Sequence, residues 1–108
     1  MATTARRFAQ ALFATTITTH YIVPAATTAI LKDLTIANTN VNSFAPRIHI
    51  VPSGSAASSA NQLIPNLTIA GNFMFHDLYF QVMNTGDTVQ SIANSAQGTL
   101  YASGVEIT

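Results

Sequence analysis

The chain has 108 residues, room for one domain, and carries no net charge: Arg6, Arg7, Lys32 and Arg47 balance Asp33, Asp77, Asp87 and Glu106. Hydrophobic residues make up 48% and charged residues only 7%, against roughly a quarter charged in average soluble domains. The absence of Cys excludes a disulfide framework and a thiolate metal site, and only Arg6-Arg7 could begin the basic patch that direct nucleic-acid binding needs.

At the start, residues 1–8 read as an N-terminal arm ahead of a domain at 9–108. Gln10 and the following Thr residues interrupt the apolar segment too early for a signal peptide. Residues 5–12 (ARRFAQAL) fit either a short helix capped by Thr4, with Phe8 and Leu12 one turn apart, or an extended strand. The run 11–23 (ALFATTITTHYIV) reads as one strand with Phe13, Ile17, Tyr21 and Val23 on a face, ended by Pro24. Residues 28–37 form a second strand, and 46–51 (PRIHIV) alternate cleanly.

Small polar residues at 52–60 make a loop that cannot pack a core. Residues 62–69 read as a short strand at an edge, because Pro65 cannot donate to a ladder. The strongest strand is 72–82 (NFMFHDLYFQV). It divides into Met74, Leu78, Phe80 and Val82 on one face and Phe73, Phe75 and Tyr79 on the other. Asn84-Thr85-Gly86-Asp87 is a turn, and 88–93 and 99–107 are the last two strands. The count of about seven short strands predicts an all-β, antiparallel sandwich or small barrel. No stretch of about 18 apolar residues is present, so no membrane-spanning segment is expected.

A low charge content leaves a surface of Thr, Ser, Ala and Asn, which another protein can cover at little desolvation penalty. An assembly subunit is therefore expected. Aromatics on both faces of 72–82 fit either a strand near the domain centre or covered by the N-terminal arm, or a subunit contact through Phe73, Phe75 and Tyr79.

Chemistry is sparse. His76 and Asp77 are neighbours on a strand, so their side chains point to opposite faces and cannot form a dyad. His20, His49 and His76 fall on separate strands without metal-ligand spacing. Gly54 in the Ser-rich loop is not part of a Gly-x-Ser-x-Gly elbow. Asn66-Leu67-Thr68 matches a glycosylation acceptor only formally. No catalytic residue, metal or cofactor is expected.

Several segments in order resemble small virion structural proteins of tailed bacteriophages. They are Tyr21-Ile22-Val23-Pro24-Ala25, the run from Thr28 to Ile36, Asn38-Thr39, His49-Ile50-Val51-Pro52-Ser53-Gly54, Gly86-Asp87-Thr88-Val89-Gln90, and Ala102-Ser103-Gly104-Val105-Glu106-Ile107. The likeness spans about residues 8–108. It implies a β-sandwich or jelly-roll module that forms homo-oligomers, typically trimers, on the particle surface after synthesis in the host cytoplasm. Such modules decorate or cement capsids by binding the major capsid protein or another virion protein; from charge and hydropathy, neither nucleic acid nor membrane is expected as a partner. On that reading Arg6, Arg7 and Phe8 would contact the shell. The other reading is a tail- or fibre-associated host-recognition module binding glycan or receptor through a loop end bearing Asn38, Asn40, Asn42 and Tyr101.

Overall fold

The computed structural model describes residues 2–65 and 67–108. Its strands are β1 (Thr3–Leu12), β2 (Thr18–Ile22), β3 (Thr28–Ala37), β4 (Pro46–Val51), β5 (Gln62–Ile64), β6 (Met74–Met83), β7 (Thr88–Ala93) and β8 (Thr99–Ile107), with one 3₁₀ turn at Ser59–Asn61. They form two four-stranded sheets of order β1-β8-β3-β6 and β2-β7-β4-β5. The pairing is antiparallel throughout, first strand with last and inward in sequence: β1 with β8, β2 with β7, β3 with β6, β4 with β5. This is a long hairpin rolled over on itself, the jelly roll.

The strands at 28–37, 46–51, 88–93 and 99–107 occur as their alternation predicts. The count rises from about seven to eight because the run 11–23 is broken. β1 ends at Leu12, and the chain turns before β2. Phe13, Tyr21 and Val23 are buried, whereas Ile17 lies on that turn and is exposed. The strand read at 62–69 shrinks to Gln62–Ile64; Ile69 bridges back to Phe44 instead.

The division into an arm at 1–8 and a domain at 9–108 is not found in the described residues. Thr3 to Arg7 pair with Ile107 to Ser103, so this segment is the outer strand of the first sheet. The physical reason is the edge of β8. Left bare, its row of N–H and C=O groups would be unpaired, and β1 covers it. The helix considered at 5–12 is excluded by the same pairing.

Between the sheets, Leu31, Leu34, Ile36, Ile48, Met83, Val89 and Leu100 have no accessible surface. Phe13 and Phe44 meet edge to face at 5.5 Å, a favoured aromatic geometry. The first sheet is irregular at one level: the register shifts between Arg7 and Ala9 on β1 and between Leu31 and Asp33 on β3. Across this shift β3 exchanges its inward set, from Ala29 and Leu31 to Leu34 and Ile36. Gly104 sits beside it on β8. A Cβ there would lie 1.9 Å from the Ile30 carbonyl oxygen and 2.8 Å from the Phe8 ring. Only glycine allows β3 and the Phe8 side chain to approach this closely.

Candidate interaction surface

β6 is an edge strand, and its two faces have opposite environments. Phe75 and Tyr79 point inward and pack, half-buried, against the core. Burial raises the Tyr79 hydroxyl pKa above its ordinary value, with a further push from the Asp77 carboxylate. The accessible face is the other one. Met74, Leu78 and Phe80 are 64–71% exposed and Val82 is 48% exposed. Phe73, just before the strand, is also exposed. Of the three residues expected at a subunit contact, then, Phe73 is on the surface while Phe75 and Tyr79 belong largely to the core. Hydrophobicity could not choose between the faces, since both are apolar.

The same outer side of the first sheet carries Tyr101 on β8 and Leu12 on β1, both exposed. Lys32 holds its ammonium 5.5 Å above the Phe80 ring, a cation–π approach. His76 Nε2 and Asp33 Oδ1 are 2.9 Å apart on this face. As strand alternation requires, His76 pairs across to β3 and not with its neighbour Asp77. Asp77 instead accepts the backbone N–H of Leu78 at 2.9 Å.

Residues expected to meet a shell are divided by the fold. Phe8 is 2% exposed and stacks on Tyr21 with ring centroids 4.4 Å apart. It fills the subunit's own core and is unavailable to a partner. The Tyr21 hydroxyl donates to the Glu106 carboxylate, and Arg6 Nε lies 3.9 Å from the same oxygen. Burial and the Glu106 bond and charge push the Tyr21 pKa well above its usual value, against a smaller opposing effect of Arg6. Arg6 remains about half accessible beyond this contact, and Arg7 is exposed, donating to Gln10 Oε1 at 2.5 Å.

The remaining histidines serve the scaffold. His20 is 2.6 Å from Ser91 Oγ, and burial lowers its pKa below 6.5. His49 is bonded to Asn61 Oδ1 at 2.9 Å and is 4% exposed. Among the described residues no three His, Asp or Glu side chains gather as a metal site would require, and no buried side-chain polar atom lacks a partner. Asn38 of the Asn cluster is likewise used locally. Asn38 is 2% exposed and its amide donates to the carbonyls of Asn42, Ile69 and Ala70. The Asn40 side chain accepts from the Asn42 backbone. Asn38 and Asn40 tie the loop to itself, while Asn40 and Asn42 stay exposed. Asn66, of the glycosylation tripeptide, lies outside the described residues.

No family model and no curated protein matches the chain. Among solved structures, it is similar in fold to a chain in the structure of infectious bursal disease virus, Gx strain, with a TM-score of 0.54 and 11% identity. The match covers 97% of this protein and 31% of the viral chain, so this protein spans about a third of that chain's length. At this identity the likeness is one of fold.

Proposed function

We propose that the protein is a structural subunit of a virus particle, and more narrowly a capsid decoration or cement subunit of a tailed bacteriophage. The observation that carries the reading is a complete jelly roll, similar in fold to a chain from a virus, whose first sheet leaves an apolar outer face uncovered. The scarcity of charge and the local use of His20, His49 and Asn38 support a role in assembly over catalysis. The subunit acts as a homo-oligomer, for which the phage resemblance implies a trimer, and binds the major capsid protein or another virion protein. Arg6 and Arg7, on the outer strand β1, offer two accessible cations for that contact.

The mechanism is mechanical. A subunit seated across the joint between shell proteins must be stripped away before they separate, exposing the apolar area it covers. At about 25 cal/mol per Å² of apolar area, a standard-sized interface leaves several kcal/mol per copy after association losses. Repetition over a closed shell multiplies the gain. The test is a particle map with quantitative mass spectrometry of purified virions. Decoration requires this chain on the outside of the shell in many copies. A few copies at a tail or fibre tip would favour the host-recognition module, and absence from particles would reject both.

A further inference from the structure

The two outer sheet faces are finished differently. On the second sheet, His49 and Val51 stand on the outward side of β4, since their neighbours Ile48 and Ile50 pair with the inward Ser91 and Val89. Both are nevertheless buried, at 4% and 1% exposure. Asn61, at the end of the segment that follows β4, bonds the His49 ring. The outer face of the first sheet is not buried in this way. Leu12, Met74, Leu78, Phe80, Val82 and Tyr101 all lie there in the open.

We infer that this face is covered by a second copy of the same chain. Taking about 150–200 Å² for a large apolar side chain, the six expose roughly 600 Å² together. The contiguous part is the β6 strip, roughly 400–500 Å², within the range of the largest patches on free monomers; with Tyr101 and Leu12, two and three strands away, the face as a whole approaches the ~800 Å² each partner contributes to a standard interface. The charges on the face suit a like partner. Lys32 is adjacent in sequence to Asp33, so the patch carries both signs and one copy's cation can meet another's carboxylate. Contact is face to face, not through strand addition at the β6 edge. Asp77 already occupies the Leu78 N–H, and the register between β6 and β3 shifts at the same level; both devices blunt an edge.

The inference gives the proposed assembly role a two-fold self-contact, a dimer contact in place of the trimer that the phage resemblance implies, and its test stands apart from that role. Light scattering of the purified full-length chain at tens of micromolar should give a mass of more than one chain. Leu78→Asp with Phe80→Ser should weaken association about a hundredfold while circular dichroism and melting stay near those of the parent. Ile22→Asp, at a side chain also well exposed but on the second sheet, should leave the mass unchanged. Because the chain has no cysteine, single cysteines at 74, 78, 80 and 82 provide a second reading with little change to the fold. At least one should form a disulfide-linked pair on mild oxidation, and Ile22→Cys should not. A monomeric parent, a folded double variant of unchanged mass, or cross-linking at position 22 alone would overturn the inference. A monomer still found in many copies on particles would sink this contact and leave the virion role standing, whereas self-association without particle incorporation would do the reverse.

Discussion

Replacing Phe8 by Ala separates a chain whose first residues form a free arm from one in which they build the core. The ring is 2% exposed, lies against Tyr21 and crowds Gly104. Burying a Phe side chain contributes about 2–3 kcal/mol by transfer. The void left by the ring, on the order of 80–100 Å³ at about 24 cal/mol per Å³, adds about 2 kcal/mol. The expected loss is therefore about 4 kcal/mol, inside the 3–5 kcal/mol typical of buried Phe→Ala changes. Out of a total stability of about 5–15 kcal/mol this is a large share. At roughly 4–5 °C per kcal/mol for a domain of this size, the melting temperature should fall by about 15–20 °C. Phe73→Ala is the matched control, because Phe73 is 67% exposed; it should cost no more than about 0.5 kcal/mol. Thermal denaturation followed by circular dichroism reads both. If Phe8→Ala melts within a few degrees of Phe73→Ala, β1 does not pack as described and Phe8 is not a core residue.

Two further changes probe the scaffold. Gly104→Ala would stabilise by about 0.4–1 kcal/mol through the unfolded chain if the site had room. Since the added Cβ meets the Ile30 carbonyl at 1.9 Å, chemical denaturation should show a loss of about 2–3 kcal/mol instead, and a gain would refute the close approach. His20 gives a pH dependence whose sign follows from its lowered folded-state pKa. Below about pH 6.5 the unfolded chain takes up the proton that the folded imidazole resists, so stability falls as pH drops through that window. Melting temperatures of the parent should decline between pH 7.5 and the acid end of this window more steeply than those of His20→Gln. Parallel pH profiles would remove His20 as a contributor.

Much of the framework was open to reading from residue order. Thr28–Ala37, Pro46–Val51, Thr88–Ala93 and Thr99–Ile107 appear where their alternation and their flanking Pro, Gly and Asn residues place them. Each has a period of two and a turn residue at its end, both local properties. The all-β class followed from these, as did the separation of the three histidines and of His76 from Asp77. Where local signals were balanced, residue order could not decide. Residues 5–12 fit a helix as well as a strand, and only the bare edge of β8 made them β1. The run 11–23 looked continuous because Thr suits both strand and turn.

The amino-acid order by itself determined that this chain builds short antiparallel strands, has little charge with which to repel its neighbours, and presents aromatics on both faces of β6. It could not say which of those faces meets water. That depends on which strands lie opposite, a matter of tertiary packing: the second sheet closes over Phe75 and Tyr79 and leaves Met74, Leu78, Phe80 and Val82 outside. The same holds for Phe8, whose burial rests on a register shift and on a glycine 96 positions further along the chain. Alternation reports that a strand has two sides; only the partner sheet decides which side is the inside.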